Sequence, residues 1–596
     1  MSHTFHIPVL GLAYSVDTPL KVARYGISSV ASIVDDISIE RIRKYYTEQD
    51  DQIFVPIDTL QDDYRAKRIT AYLNMMNKMV KQQIANLKSE EFEDGKDIVR
   101  YFELLPETSS LKKEYQEMLG VFDSSLRAQM QRNLREKITA GSIDVNIMSK
   151  VDKINIDKNG EILAEVYSDA LAALRGFAES DLNASLVLSA GMNPRLYGYL
   201  ETFPDFSPDE NHQLKKKIIL KVSDFRSAFI QAKFLAKKGI WVSEFRVESG
   251  LNCGGHAFAT EGYLLGPILE EFKMKRAEMQ LELFGLYQSA IENKGMSIAL
   301  PPAIKISVQG GIGTSEENSF LLEHYSLDAT GWGSPFLLVP EATNVDADTL
   351  NDLATADESD YYISGSSPLG IPFNNFRKSS GETQRLERVA KNRPGSPCIK
   401  KFLVSNTEFT EQPICTASRE YQNLKIKQLQ KAELPAEIYQ QKFDVITEKV
   451  CLCDGLVTSY FIKHNLIGKK DNRAVTICPG PNLAYFSRTF TLDEMVKHIY
   501  GQVDLLESVN RPHMFINELK LYIDYLKKDI AESVENMNTK KEKYLNSFKS
   551  QLQNGIQYYK GLLPQMKMAK QDLIKKFNAD LLELELKLNG ILLMAE

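Results

Sequence analysis

The 596-residue chain is short of several things, and each shortage excludes a class of protein. No apolar run reaches the roughly 18 residues needed to cross a bilayer, so no membrane partner is expected. The amino terminus, Ser2 to His6, lacks the basic and apolar regions of a secretory leader, and a cytoplasmic location is the default expectation. Basic residues are not in excess: 72 Lys and Arg face 79 Asp and Glu, for a formal charge of −7, and nothing points to nucleic acid. Six cysteines in such a chain read as reduced thiols or metal ligands rather than a disulfide framework, and no Cys-x2-Cys pair occurs. The first 480 residues hold no clear repeat and no low-complexity linker. What remains is ordinary for a globular protein, with 43% hydrophobic and 25% charged residues. The length exceeds what one compact core usually holds, so two or more domains are expected.

The most informative stretch runs from Ile304 to Thr314. β-branched residues alternate with polar ones and stop at Gly310 and Gly311. Gly313, Thr314 and a helix-forming segment from Ser315 to Glu323 follow. A strand, a glycine turn and a helix start suit an anion, because glycine lets the main chain approach a ligand and the first helical amides lack partners. Ser315 is the expected cap, with Glu316 and Glu317 in the first turn. Asp328 to Val339 reads as a further strand, carrying Gly331, Gly333 and Ser334. One helix separates it from the first glycine turn, as in a βαβ unit.

Earlier strands are expected at 7–13, 28–34, 143–148, 184–190, 217–222 and 241–248, with a helix from Asp17 to Tyr25 after the first. Eight strands alternating with helices predict an α/β fold, a closed (β/α)8 TIM barrel over residues 1–35 and 143–345. Residues 36–142 break the rhythm and read as a helical insertion after the second strand. Their Met75, Met76 and Met79 are core filling. Chemistry in such a barrel sits after the strands. The sixth ends in Glu248 to Phe258, a glycine-rich excursion that carries His256, a side chain able to exchange protons at neutral pH.

Gly254-Gly255-His256, the 310–314 turn and Gly331-Trp332-Gly333-Ser334 together resemble the nitronate monooxygenase (2-nitropropane dioxygenase) family of FMN-dependent barrels. They are also similar to flavin enoyl reductases of polyketide and polyunsaturated fatty acid synthases. Ile7-Pro8-Val9 and Val145-Asn146 fit the same pattern. The resemblance implies FMN as cofactor and a small-molecule substrate, either an activated carbon acid or an activated double bond. It implies that Gly310, Gly311, Gly313, Gly333 and Ser334 hold the phosphate, with Thr314 and Gly331 also among the cofactor-binding residues. Asn146 would lie by the ring, Gly254 and Gly255 would also bind the cofactor, and His256 would be the acid/base. One departure stands out: Asn252-Cys253 precedes the Gly-Gly-His where the family usually has Glu-Ala.

Residues 346–490 read as a post-barrel extension, with Ser364 to Gly370 as a Gly/Ser/Pro loop or lid. Cys398, Cys415, Cys451, Cys453 and Cys478 lie there, either as unligated thiols or as an iron–sulfur site. Residues 491–596 turn helical, with apolar positions every three or four residues. A bundle or coiled coil is expected, docked on the barrel or forming a homodimer. The alternative to a flavin oxidoreductase is a non-catalytic scaffold that uses the barrel as a platform for these helices.

Overall fold

The computed structural model describes residues 2–149, 152–157, 159–189, 191–257, 261–533, 537–566 and 571–591. Its centre is a closed parallel barrel of eight strands. These are β1 (Phe5–Ile7), β2 (Ser28–Ser32), β3 (Ile143–Ile147), β4 (Ala184–Leu188), β5 (Lys216–Val222), β6 (Val242–Glu248), β7 (Lys305–Gln309) and β8 (Ala329–Gly331). The ring closes where Phe5 and His6 of β1 pair with Thr330 and Gly331 of β8. The expected (β/α)8 architecture is therefore present.

Two strands differ from expectation. The first lies at Phe5–Ile7, not over 7–13. Pro8 has no N–H to give a ladder, and Gly11 turns the chain with φ +54°. The last is only three residues long, because Pro335 opens a 3-10 helix over Ser334–Leu338. The helix Thr18–Val22 starts without a cap from Asp17. That carboxylate instead accepts from the Tyr46 hydroxyl (2.6 Å) and the Asn344 amide (2.5 Å).

Alternation along the strands sorts the barrel interior into levels. Low in the barrel, Arg246 donates to Glu244 (2.9 Å) and Asp144 (3.2 Å), and Ser307 donates to Glu244 (2.5 Å). Val30, Val187 and Ile219 make a small apolar cluster of their own with Val9 against it. The mouth then opens above, at the carboxyl ends of the strands.

The block 36–142 has two parts. The helices Asp36–Gln49 and Tyr64–Ser89 contribute Ile39, Ile42, Ile69, Tyr72, Leu73 and Met76 to the main core. Buried Asp36 ties them together by accepting from Arg65 (2.6 Å) and Arg68 (2.9 Å). The helices Asp97–Glu103, Ser110–Leu119 and Ser124–Lys137 form a separate core around Phe102, Tyr115 and Met118.

The carboxy-terminal helices Met514–Ser533, Thr539–Leu562 and Gln571–Asn589 turn their apolar stripes inward. Leu519, Ile523, Phe548, Ile556, Tyr559 and Leu581 join the same core as the barrel strands. Glu518 reaches the sixth-strand loop and accepts from Ser249 Oγ and the amides of Gly250 and Leu265, each at 2.8 Å. These helices therefore brace the loop that carries His256. Leu573, Leu582 and Leu586 remain exposed on the last one. Among the described residues no helix is long and apolar enough to cross a membrane.

Candidate functional site

A cavity of about 150 Å³ opens at the carboxyl ends of the strands. Asn146, Gly254, Gly255 and His256 all line it, although they come from two strand ends far apart in sequence. The floor adds Ser32, Ser189 and Lys221, and the walls are apolar: Leu12, Met148, Phe373, Phe402 and Leu456 among them. Lys221 is paired with Glu248 (2.9 Å), and Gln309 donates to the same carboxylate (2.7 Å). The Asn146 side-chain amide makes no hydrogen bond among the described residues and borders the cavity. A mostly apolar cleft with a few convergent polar groups is the usual form of a small-molecule site.

The His256 loop is fixed from both sides. Asn252, with φ +38°, accepts from the Gly254 amide (2.7 Å) and donates to the His256 carbonyl (3.0 Å). The Gly255 amide donates to the Cys478 carbonyl (2.9 Å), and the Ala257 amide donates to the Pro372 carbonyl (2.8 Å). His256 Nε2 lies 2.8 Å from Ser367 Oγ, and its ring meets Phe373 edge-on at 5.1 Å. The Asn252-Cys253 pair thus has a structural use: Asn252 shapes the loop where an acidic residue was expected. Burial pushes the Cys253 thiol well above its usual range and the Cys478 thiol up to about 12, so both stay protonated.

Gly254 shows how tight this loop is. Its φ is +113°, and a Cβ there would collide with the Cys478 carbonyl oxygen. Gly254→Ala is expected to cost about 1–3 kcal/mol, read as a lower denaturation midpoint. A midpoint equal to wild type would show that the loop is free to move.

The seven cofactor-binding residues expected in the turns after β7 and β8 do not line the cavity. Gly310, Gly311 and Gly333 pack against residues 251–253, Gly313 lies against Arg511, and Thr314 borders a different cavity, of about 210 Å³, with Glu317 and His513. Gly311 packs on Leu251, and a Cβ on Gly333 would stand 2.5 Å from that of Cys253. Several are engaged within the protein. The Gly313 amide donates to Glu317 Oε2 (2.8 Å). The helix cap is Thr314, not Ser315: its hydroxyl accepts from the Glu317 amide (3.2 Å). The Ser334 hydroxyl donates to the Cys253 carbonyl (3.0 Å) and accepts from the Gly480 amide (2.7 Å). Gly331 packs on Gln309 and His6 inside the barrel. These side chains and the Gly313 amide are therefore already committed.

The remaining main chain is not. The amides of Gly311, Ile312, Gly333 and Ser334 are buried and donate to no acceptor among the described residues. Buried backbone amides are almost always paired. All four belong to the glycine turns after β7 and β8, which pack against Leu251 and Cys253.

Sequence reasoning missed Ser367 and Lys221. Lys221 stands one residue before the end of β5 and could have been found by the strand-end rule. Ser367 belongs to the Gly/Ser/Pro loop, and only the folded chain brings it to His256.

Neither the protein-family models nor the curated proteins include a match to this chain. Among solved structures it is similar to FabK from Thermotoga maritima, with 12% identity and a TM-score of 0.31 over 66% of this chain and 83% of that one. It is also similar to the enoyl reductase domain of MlnA from the macrolactin biosynthesis cluster of Bacillus amyloliquefaciens. There the identity is 13% and the TM-score 0.30, over 76% of this chain and 88% of the other.

Proposed function

We propose that the barrel mouth is the working site of a flavin-dependent oxidoreductase, nitronate monooxygenase-like or enoyl-reductase-like, acting on a small and largely apolar substrate. The observation that carries the reading is the meeting of Asn146, Gly254, Gly255 and His256 on one cavity. Bound FMN would supply hydride transfer. The chain's own residues do the rest. The Asn146 amide orients a polar edge in the cavity, and the apolar walls exclude water. His256, its Nε2 held against the Ser367 hydroxyl, is the residue that moves a proton to or from the substrate carbon.

The absorbance spectrum of the purified full-length chain tests this directly. A flavin spectrum, as isolated or after incubation with FMN, is the expected result. A colourless protein that takes up no FMN would remove the reading and leave a barrel that serves as a platform for its helices.

A further inference from the structure

We infer that a cleft against the helix Leu452–Lys463, separate from the barrel mouth, is a binding site for a phosphate group. Its volume is about 20 Å³, room for a single small oxyanion. The helix itself sorts the two cavities. Cys451 and Gly455 line the cleft, whereas Leu452, Cys453 and Leu456 line the mouth. Positions four apart share a helix face, and the positions next to them point elsewhere. A second helix, Ser380–Ala390, supplies another wall: Gly381, Gln384, Arg385 and Arg388 recur there at helical spacing.

The charges are one-sided. Arg385, Arg388 and Lys449 line the cleft, and among the described residues no Asp or Glu does. Arg385 is already paired with Glu382. The other two cations have no carboxylate partner among the described residues. Arg388 donates only to Ser396 Oγ (2.6 Å), and Lys449 only to the carbonyls of Gly365 and Ser367 (3.1 Å to the second). The nearby carboxylates are turned to other groups: Glu448 accepts from the Gly365 amide (2.8 Å), and Asp454 stands 3.8 Å from Lys400. A guanidinium carries five donors and an ammonium three, so both cations keep donors for a ligand.

The frame around these donors is rigid. The Ser396 amide donates to the Ala417 carbonyl, and the Ser396 carbonyl accepts from the Arg419 amide, both at 3.0 Å. Gly395 lies so close to Arg419 that a Cβ on it would stand 2.7 Å from the Arg419 Cα. Arg419 also lacks a carboxylate partner among the described residues, and its Nε is buried with no acceptor. Thr476 Oγ1 is wedged between the two helices, since a Cβ on Gly381 or Gly455 would fall 2.7 or 2.2 Å from it. Gln384 and Asn472 bond to each other (2.9 and 3.2 Å), so their amides hold the wall together. Cations from two separate elements, with the hydroxyls of Ser396 and Thr476, suit a tetrahedral oxyanion better than a planar carboxylate. Lys449 also links the cleft to the mouth, because it grips the loop whose Ser367 hydroxyl meets His256.

Isothermal titration calorimetry of the full-length chain with inorganic phosphate, at constant ionic strength, tests the site. Wild type should bind, and Arg388→Gln should weaken binding about tenfold, the usual effect of losing a hydrogen bond to a charged group. Ser396→Ala should weaken it less. Lys575→Gln, which removes a charge from the exposed face of the last helix, should leave it unchanged. Circular dichroism confirms that each variant is folded. If Arg388→Gln does not fold, the loss in Ser396→Ala decides. Glycerol phosphate separates the sources: tighter binding than inorganic phosphate marks an organic ester as the ligand, and weaker binding marks the free anion. Wild type that binds neither, or Arg388→Gln that binds as tightly as wild type, overturns the assignment. So does acetate that binds more tightly than phosphate. Flavin content is read from absorbance, so this result and that of the flavin reading are independent.

Discussion

Arg511→Met will lower the stability of the chain by about 3–5 kcal/mol, the usual cost of stripping one partner from a buried ion pair. Arg511 comes from the segment before the carboxy-terminal helices and enters the β7 turn. It donates to Glu317 Oε1 (2.6 Å), the Asn482 side chain (2.9 Å) and the Gly311 carbonyl (2.6 Å). The two side chains are only 4% and 3% exposed, so water cannot replace what is lost. Glu317 also accepts from the Gly313 and Met514 amides, at 2.8 and 2.7 Å. One carboxylate thus joins the glycine turn, its helix and the tail. Urea denaturation followed by circular dichroism reads the loss. Glu317→Gln/Arg511→Met should recover much of it, because no charge then stays buried alone. A loss below about 1 kcal/mol in the single variant would show that the pair does not hold the tail to the barrel.

The same pair sets an acid limit. Burial alone would raise the Glu317 carboxyl, but Arg511, His513 and the Gly313 amide outweigh it and bring it below its ordinary 4.5. A carboxyl that titrates lower when folded than when unfolded stabilises the fold fully above the unfolded value. That contribution fades as pH falls through the folded value. Wild-type protein should therefore lose stability on acidification below about pH 4.5, and Arg511→Met should show less of this loss.

The second large effect is on chemistry. In flavin-loaded protein, His256→Ala should cut turnover by about 10²–10⁴-fold, the usual worth of a positioned acid/base, while the flavin spectrum stays. Ser367→Ala should give a smaller loss and shift the pH profile, because it removes the hydroxyl 2.8 Å from Nε2 without removing the ring. Turnover of His256→Ala equal to wild type would take the proton-transfer role away from this residue. Loss of the flavin spectrum in the same variant would make His256 a residue that holds the cofactor instead.

Much of the fold could be read from local pattern. A parallel strand between helices is an apolar run that ends at a turn, and that signal lies within a dozen residues. It failed where a neighbouring residue changed the backbone rules, at Pro8 just after β1 and at Pro335 after β8. Ser315 was the expected cap, yet the extended Thr314 one residue earlier holds that place.

The barrel, the glycine turns after β7 and β8 and the position of His256 beyond β6 were legible along the chain, because each follows from nearest-neighbour chemistry. Only the tertiary structure decided which of these work together. It placed Asn146 and His256 on one cavity and put the Gly313 amide and Ser334 hydroxyl out of a ligand's reach. It brought Ser367 to the histidine across 111 residues. Those meetings depend on how distant elements pack on a common core, and no local periodicity records that.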